Sequence, residues 1–469
     1  MEIGLVGAGI SALSVAFLIK KYLPHTSIYI IDRNLSGKIK TKILKFSNTK
    51  YFVELGPDSL VYNEKFNKIN TEFNLDELNI IFSNNNPNYV FFNNKIYKIP
   101  TNIPDFLLSN LISFKSKFQF VLDLFKEIKY NQDDTLLTFC QKNFNNEFNE
   151  KILYPIFSNV FSTDIDKLSI IPLIPYLKNI KTNILKNRST KFFNFKNGLY
   201  SLIEYLYNFL KNNGVKFINE ILINFDLKGD KYLLKTDNNY LEVSKVFFTI
   251  PAFSLNQIIN NSLTVLNTLN KNPELFSLLK NLTYLLKSIS YHSSYIYILV
   301  LNKFLDKNIN GILFKDHKIF KAISFFSKKW NNFISDSIND SIDSDKNDNK
   351  KNRIEFLRIF LKNKFNNDLD FLIKELNKVN LFKNMRLDNI LYSEYVEWED
   401  SILTNDINLY KNLKDIKIIV NKLKEYNIYI LANFIGGSSI IDRLYSSIEF
   451  LNEFINEYGR GKLKVNNDY

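Results

Sequence analysis

The sequence predicts an α/β fold combined with α+β units and spread over several domains. Three observations predict this class. A strand, a glycine-rich turn, a helix and a second strand open the chain within residues 3–32. A mainly helical stretch follows over residues 103–190. Strand patterns then return, and another strand, glycine turn and helix appear from residue 428 onward.

The opening unit begins with an apolar strand, Ile3–Val6, which runs directly into the turn Gly7–Ala12. The apolar spacing predicts a helix over Leu13–Leu23 and a second strand over Ser27–Ile31, which ends at Asp32. This order, with an acid about 20 residues after the turn, is the fingerprint of a Rossmann-like dinucleotide-binding unit. The alternative is a doubly wound domain that holds no nucleotide.

Each residue of the fingerprint has a physical role. Gly7 permits the tight turn, and Gly9 lets a pyrophosphate approach the backbone. Ala12 is small enough for close helix–strand packing, and Asp32 can accept hydrogen bonds from a ribose diol. The helix N-terminus supplies unpaired N–H groups for the phosphates.

Length and composition exclude several classes. A chain of 469 residues predicts two or three domains, and no apolar run approaches the ~18 residues of a membrane span. Because the chain starts at its first strand, we expect no signal or transit peptide. The single cysteine, Cys140, excludes an internal disulfide and favours a reducing cytoplasm. The three histidines are scattered, so no metal site is predicted.

The net charge of +13 could favour acidic substrates, anionic lipid or nucleic acid. However, the lysines are spread along a chain that is also rich in Asn, Ile, Phe and Tyr. We therefore favour a general compositional bias as the cause. No nucleic-acid module is recognisable, and we expect no nucleic-acid partner.

The stretch from 103 to 190 carries a broad apolar helical face. We expect this face to pack in a core, and the alternative is an exposed face that docks on a membrane or a greasy substrate. Its members are Phe106, Leu107, Leu111, Phe114, Phe118, Val121, Leu122 and Phe125. A later segment, 335–352, consists almost entirely of Ser, Asp, Asn and Lys, which predicts a mobile loop.

Several motifs recur in one order along nearly the whole chain. Together they resemble the FAD-dependent amine oxidase-like flavoproteins and, within them, the oxygen-dependent protoporphyrinogen oxidases. The motifs are Gly7–Ala12, Glu54–Ser59, Phe157–Ser169, Phe195–Leu199, Thr249–Ala252 and Ala432–Arg443. The first and last are common to the superfamily, whereas Gly56-Pro57-Asp58-Ser59 and Val160–Ser169 are more specific to porphyrinogen oxidases.

The resemblance implies an FAD site built from both ends of the chain. Gly7, Gly9, Ser11 and Ala12 would surround the pyrophosphate, and Asp32 would hold the adenosine ribose. The remaining cofactor contacts implied by the resemblance are Lys38 and Thr41 at the phosphates and ribityl chain, Gly56, Pro57 and Asp58 at the flavin ring, the Ile221 backbone at the adenine, and Gly436, Gly437, Ser438 and Ile440 at the pyrimidine end.

The resemblance also implies a domain division. An FAD-binding domain would comprise 1–85, 191–255 and 421–469, a mixed-sheet substrate domain 86–102 and 256–420, and an inserted, membrane-associating helical domain 103–190.

The implied reaction is the oxidation of protoporphyrinogen IX to protoporphyrin IX in haem biosynthesis, with hydride transfer to FAD and reoxidation by dioxygen. Because the flavin drives it, no protein acid or base is expected to be catalytic. The implied partners are the porphyrinogen and dioxygen, with a homodimer and a cytoplasmic location peripheral to the inner membrane. The alternatives are coproporphyrinogen III oxidation, another amine oxidase-like reaction such as amine oxidation or carotenoid desaturation, and a degraded, non-catalytic flavoprotein.

Four departures from the family pattern concern these expectations. Ser36 and Ala432 replace glycines but remain small, so FAD binding should survive. The segment Ser401–Asp406 lacks the usual Ile/Leu-Pro-Gln-Tyr element, and Asn88 stands where a basic residue is proposed to meet a substrate propionate. The departures therefore concern substrate binding more than cofactor binding.

Overall fold

The computed structural model describes residues 1–35, 37–46, 49–161, 163–174, 177, 191–269, 272–302, 305, 307–315, 317–330, 354–366, 368–382 and 384–458. The predicted polar loop at 335–352 lies outside the described residues, as do Ser36 and residues 178–190 of the predicted helical stretch.

The strands of the described chain follow one another in this order: β1 Glu2–Val6, β2 Ser27–Ile31, β3 Thr41–Phe46, β4 Thr49–Glu54, β5 Leu60–Tyr62, β6 Ile80–Phe82, β7 Asn88–Phe92, β8 Lys95–Lys98, β9 Lys191–Phe195, β10 Lys216–Ile218, β11 Leu222–Lys228, β12 Lys231–Thr236, β13 Tyr240–Val243, β14 Lys245–Phe248, β15 Tyr291–Leu301, β16 Gly311–Phe314, β17 Phe320–Phe325, β18 Glu355–Leu361, β19 Ile390–Leu403 and β20 Ile428–Ile430.

The α-helices of the described chain are α1 Ile10–Tyr22, α2 Phe66–Phe73, α3 Ile103–Leu108, α4 Phe114–Phe125, α5 Leu136–Asn143, α6 Asn146–Phe148, α7 Tyr154–Phe161, α8 Tyr200–Asn212, α9 Ala252–Leu269, α10 Pro273–Leu286, α11 Phe326–Lys329, α12 Leu369–Asn377, α13 Ile407–Leu423, α14 Asn433–Gly436 and α15 Ile440–Tyr458. Short 3-10 or π turns occur at Leu75–Leu78, Asn149–Leu153, Ile171–Leu173, Asn380–Phe382, Leu387–Asn389 and Lys424–Tyr426.

A five-stranded parallel sheet carries the N-terminal unit. Its order is β10-β2-β1-β14-β20, and β1 lies at its centre with Ile3 registered to Ile28 and to Lys245. The strands are almost wholly apolar because both faces of the sheet are covered. Helices α1, α8 and α15 pack on one face, and the antiparallel sheet β11-β12-β13 packs on the other. The predicted Rossmann-like layering is confirmed.

A seven-stranded mixed sheet forms the second layer system, with the order β19-β15-β18-β17-β16-β7-β8. All neighbours are antiparallel except β16 and β7, which are parallel. One face buries Leu299 and Ile359 against α12. The other face packs Ile298 and Phe356 against the β3–β4 hairpin. This second face is turned toward the turns at the carboxyl edge of the parallel sheet, where the candidate site lies.

We expected the apolar face of the helical stretch to pack in a core. The structure buries only part of this face. Phe106, Leu111 and Phe120 do enter a core with Phe139 and Leu168. By contrast, several side chains are exposed, namely Leu107, Leu108, Phe114, Phe118, Leu122 and Phe125. The reason is geometric: a single helix turns only one stripe toward the core, and the apolar pattern of α4 is wider than that stripe.

Strand boundaries agree with the sequence where apolar runs are short and bounded. Ser27–Ile31 is found as predicted. Strand β3 and the 14-residue strand β19 were not predicted from the sequence. Both have polar residues interspersed among apolar ones, and their pairing partners lie elsewhere in the chain or across a turn.

Candidate functional site

The turn after β1 lies at the carboxyl edge of the parallel sheet, where ligands bind in open α/β sheets. Gly7 has a φ of +105°, and a Cβ there would come within 2.5 Å of Oγ1 of Thr249. Glycine is therefore required by the fold itself at position 7. Gly9 has an extended backbone with φ −80°, and no atom of the described chain lies within 4 Å of where its Cβ would be. The protein leaves open space there.

That space borders the N-terminus of α1. Gly9 is the N-cap of the helix and no side chain caps it, so the first N–H groups have no intrahelical partner. Ala12 is fully buried in the core beneath, which explains the need for a small residue. A Cβ on Gly37, which has a φ of +58°, would lie 3.4 Å from Cα of Gly9. A second turn thus closes over the first.

Asp32 lies at the end of β2, beside the glycine turn. Its Oδ2 accepts a hydrogen bond from the Ala8 N–H at 2.8 Å, and its Oδ1 accepts one from the Asn34 N–H at 2.8 Å. The N–H of Ile221 donates 3.0 Å to the side chain of Asp237, which also pairs with Arg33. The structure therefore brings Asp32 and Ile221 to neighbouring loops of the same sheet edge.

Lys38 and Thr41 have protein partners. Nζ of Lys38 donates 2.7 Å to the Ser401 carbonyl, and burial lowers the pKa of Lys38 to about 8. The Thr41 hydroxyl donates 2.7 Å to Glu54 and accepts from the Tyr200 N–H at 3.0 Å. Both side chains therefore connect the turn region to distant segments in addition to any role toward a cofactor.

The turn at Gly56 is packed against the turn at Lys38. A Cβ on Gly56 would overlap the backbone carbonyl oxygen of Lys38, so a larger residue cannot occupy this position without backbone movement. The indole N–H of Trp398 donates 2.8 Å to the Leu55 carbonyl, and its ring lies against Gly56. The turns at Gly9, Gly37 and Gly56 therefore form one continuous surface.

Asp58 anchors the Gly56 turn from below. Its carboxylate lies 3.1 Å from Nζ of Lys329 and 3.1 Å from Nη1 of Arg358, whose side chain is only 1% exposed. Arg358 also donates to the carbonyl of Gly56. Burial alone would raise the pKa of Asp58, but Lys329 and Arg358 hold that pKa well below its usual range. Pro57 is exposed at the tip of the turn.

The ion pairs that hold Asp58 under the Gly56 turn were not predicted from the sequence. Arg358 stands between apolar residues in the middle of β18, and a charge at such a position was the signal that could have found it. Glu54 was also missed as a functional group: it is fully buried and accepts from the Leu199 N–H at 2.7 Å and from Nδ2 of Asn194 at 3.1 Å. Burial raises the pKa of Glu54 to about 7.

The C-terminal glycine turn meets the N-terminal one. Ser11 lines a cavity of about 330 Å³ together with Ala432 and Gly436. Gly437 has a φ of +95°, and a Cβ on Gly436 would lie 2.6 Å from Oγ of Ser446. Ser438 is exposed beside them, and Ile440 begins α15 half-buried. Ala432 is fully buried, so the family glycine it replaces is not needed for space.

Asn88 is not brought to these turns. It is exposed at the start of β7, opposite Gly311 of β16. Four strand spacings separate β7 from β15, which is roughly 19 Å at about 4.8 Å per strand. Asn88 therefore lies toward the far side of the sheet from Trp398.

The departing segment Ser401–Asp406 is built firmly into the fold. The Thr404 N–H donates 3.0 Å to the Ser290 carbonyl, and the Asn405 carbonyl accepts from the Ser169 N–H at 2.9 Å. The Thr404 hydroxyl lies 3.1 Å from Nε2 of His292. The segment thus joins the mixed sheet to the helical stretch and forms one wall beside the candidate site.

Neither a metal cluster nor a membrane-spanning helix occurs among the described residues. No group of three or more His, Cys, Asp or Glu side chains in the described ranges could hold a metal ion. None of the helices described is both long and apolar enough to cross a membrane.

The fold and the site define a Rossmann-like α/β protein with an inserted mixed sheet and helical stretch. No model of a known protein family matches the chain. Over 248 residues the chain is 30% identical to a Staphylococcus aureus protein named coproporphyrinogen III oxidase, which covers 46% of this chain and 52% of that protein. Over 167 residues it is 24% identical to protoporphyrinogen oxidase 1, chloroplastic, of Spinacia oleracea, covering 35% of this chain and 30% of that protein.

The chain thus spans about half the length, or less, of these curated relatives. A crystal structure described as "Putative protoporphyrinogen oxidase" from Exiguobacterium sp. 255-15 superposes with a TM-score of 0.72 and 18% identity, over 97% of this chain and 99% of that one. At that identity the likeness establishes the fold. The predicted fold class is confirmed, and the relatives carry the names that the motif resemblance predicted.

Proposed function

We propose that this chain is an FAD-dependent porphyrinogen oxidase. The observation that carries the proposal is the meeting of three glycine turns, Gly9, Gly37 and Gly56, with open space left at Gly9. We propose that the pyrophosphate of the cofactor lies in that space. The flavin ring would then lie along the surface toward Gly56. The names of the sequence relatives support the choice of porphyrinogen as substrate.

The cofactor contacts follow from the same surface. We propose that Gly9 and Ser11 meet the pyrophosphate, that Asp32 shifts one oxygen from the Ala8 N–H to the ribose, and that Gly56 and Pro57 lie along the ring. The remaining proposed contacts are Gly7, Ala12, Lys38, Thr41, Asp58, Ile221, Gly436, Gly437, Ser438 and Ile440. Thr41 and Asp58 would act mainly by holding their turns, because their polar atoms are engaged by Glu54 and by Arg358 and Lys329.

The chemistry then belongs to the bound cofactor. FAD would accept a hydride from a saturated bridge carbon of the porphyrinogen, while a pyrrole proton is lost and dioxygen is reduced to hydrogen peroxide. The chain's own task is to hold a flat apolar substrate and exclude water. Trp398 and Phe360, on the site face of the mixed sheet, support this role.

Two substrates fit the proposal. The motif resemblance favours protoporphyrinogen IX, which would be converted to protoporphyrin IX. Coproporphyrinogen III, converted to coproporphyrin III, is favoured by the higher identity and longer match of the relative with that name. A degraded, non-catalytic flavoprotein is the alternative from another class. The bonding of Ser401–Asp406 into the fold supports an intact wall and so favours the enzyme.

The test is direct. The purified protein should show flavin absorbance and should produce fluorescent porphyrin from at least one of the two porphyrinogens, with consumption of dioxygen. A flavin-loaded protein that turns over neither porphyrinogen would refute the proposed activity and favour the degraded flavoprotein. A protein that binds no flavin would refute the cofactor assignment as well.

We also propose that α3 and α4 dock peripherally on an anionic membrane from its cytoplasmic side. Phe114, Phe118 and Phe125 follow one face of α4 and are 85%, 62% and 82% exposed. Lys115 and Lys129 are exposed nearby, which suits anionic lipid headgroups. Such a patch supports an apolar partner surface.

Liposome pelleting tests the docking. The variant Phe114→Ser/Phe125→Ser should lose most of the binding of wild type to anionic vesicles at low salt, because two large apolar side chains no longer insert. Tyr284→Ser, which removes a 77% exposed aromatic ring from α10, is the matched control and should pellet as wild type does. Equal pelleting of both variants, or no wild-type association, would refute the docking.

A further inference from the structure

Strand β17 bulges at Lys321. Phe320 is registered to Leu361 and Ala322 to Phe360, so Lys321 is the extra residue with no partner on β18. Bulges re-aim side chains and are frequent beside active sites. Phe320 is buried in the core next to α12, and the charges that act on Lys321 are those of Lys362 and Asp164, while the charge of Lys321 acts in turn on His292.

Among the residues that the structure describes, no carboxylate forms an ion pair with the Lys321 ammonium. It is half-buried, yet within the described part of the chain it forms neither a hydrogen bond nor an ion pair. Burial, and then the nearby charge of Lys362, lower the pKa of Lys321 to about 8. A buried cation without a partner costs free energy unless an anion compensates it when a ligand binds.

His292 lies on the same wall. Its Nε2 is 3.2 Å from the Thr163 hydroxyl and 3.1 Å from the Thr404 hydroxyl. Burial, and then Lys321, lower the pKa of His292, so the ring is neutral at pH 7. The two hydroxyls fix the ring. When Nε2 accepts from one of them, the neutral imidazole has its one proton on Nδ1 and can donate one hydrogen bond to an anion.

Two acids act on Lys321 or His292, namely Asp164 and Asp406, and both also have other partners. Asp164 is exposed and pairs with Lys167 at 3.3 Å. Asp406 caps helix α13, where its Oδ1 accepts from the Leu409 N–H at 2.8 Å. The remaining charged group that acts on Lys321 is Lys362, which is itself a cation. Asp164 therefore attracts Lys321 without forming an ion pair with it, and among the described residues the Lys321 ammonium stays open to an anion of a ligand.

This wall belongs to the candidate substrate space. Two residues beyond His292, Ser294 is registered to Trp398, whose ring lies against the Gly56 turn. Lys321 lies two strands away from β15, at roughly 10 Å from it, which keeps it within reach of a large planar ligand placed at that turn.

We propose that Lys321, with His292 beside it, binds a carboxylate of the substrate and so selects for the porphyrinogen with more carboxylates, coproporphyrinogen over protoporphyrinogen. This inference rests on the proposed function. Lys321 acts in specificity rather than in the chemical step. It is a basic pocket residue that the sequence pattern did not locate, since it lies between apolar residues of a strand.

The experiment compares wild type with Lys321→Met, Lys321→Arg and the control Lys318→Gln, which removes an exposed lysine three residues away. Turnover of both porphyrinogens is measured from pH 6.5 to 9.5. Binding of coproporphyrin is measured separately by quenching of protein fluorescence. Flavin content and thermal melting are recorded for every variant, and Lys321→Arg keeps the test valid if Lys321→Met folds poorly.

Lys321→Met should lower kcat/KM for coproporphyrinogen, and the affinity for coproporphyrin, by about 10- to 100-fold, the loss expected for one charge-assisted hydrogen bond. Protoporphyrinogen should be affected less. In wild type, kcat/KM should fall as the pH rises above about 8, where Lys321 loses its proton. Lys321→Arg should retain activity and lose this fall, because arginine stays charged.

Equal behaviour of Lys321→Met and Lys318→Gln would overturn the assignment while leaving the proposed function intact. An equal loss for both substrates would overturn it too, and so would a pH profile of Lys321→Arg identical to that of wild type. Failure of the wild type to turn over either porphyrinogen would instead overturn the proposed function on which the inference rests.

Discussion

Gly9→Ala distinguishes what the fold requires of this glycine from what a bound dinucleotide requires. The backbone at Gly9, with φ −80° and ψ −177°, suits alanine, and the described chain leaves its Cβ free of contacts. The flavin-free variant should therefore be as stable as wild type, or more stable by up to about 1 kcal/mol, since alanine reduces the entropy of the unfolded chain. A methyl group pressed against a pyrophosphate should cost ~1–3 kcal/mol.

That cost corresponds to FAD binding weakened by about 5- to 150-fold. Urea denaturation of the flavin-free protein measures the first quantity, and titration with FAD, followed by quenching of flavin fluorescence, measures the second. Gly56→Ala is the contrasting control: its Cβ would overlap the Lys38 carbonyl, so it should destabilise the flavin-free protein itself. FAD affinity of Gly9→Ala equal to wild type would refute the approach of a pyrophosphate to Gly9. A destabilised flavin-free Gly9→Ala would refute the open space.

Two further predictions concern the buried carboxyl groups. Asp58→Asn removes the counter-charge of Lys329 and Arg358 and should lower the free energy of unfolding at pH 7 by ~3–5 kcal/mol. Because the folded-state pKa of Asp58 is depressed, this deficit should persist above pH ~4 and shrink below it, and a deficit constant down to pH 2.5 in urea denaturation would contradict the ion pairs. Burial raises the pKa of Glu54 to about 7. The free energy of unfolding of wild type should therefore fall by up to ~3 kcal/mol as the pH rises from about 4 through 7, because Glu54 must ionise in the core. The stability of Glu54→Gln relative to wild type should therefore improve between pH 5 and pH 8, and no improvement would mean that Glu54 ionises normally.

The fingerprint was predictable because its requirements are local. Strand, tight turn and helix follow from apolar period and glycine placement within about 30 residues, and the structure has β1, α1 and β2 as expected. The C-terminal turn at Gly436 was recognisable for the same reason. The meeting of the two ends at Ser11 and Gly436 came from the family resemblance, because no local pattern specifies it.

The partners of single polar side chains were less predictable than the fingerprint. Asp58 is predicted to lie at the flavin ring, and the structure adds that its carboxylate pairs with Lys329 and Arg358, which lie 271 and 300 positions further along the chain. Lys38 and Thr41 likewise bond to Ser401 and Glu54. A side chain's partner depends on which distant strand is placed beside it, and a single sequence does not contain that information.

The sequence by itself thus determined the N-terminal strand-turn-helix-strand unit, the class of fold and the family resemblance, since glycine conformation and apolar periodicity act over short distances. Only the tertiary structure decided which apolar side chains of α4 stay exposed, how Asp58 is neutralised and that Lys321 stands at a bulge with no register partner on β18. These depend on sheet order and on a one-residue bulge. Burial and charge compensation are properties of the assembled layers, and they are set by contacts between residues hundreds of positions apart.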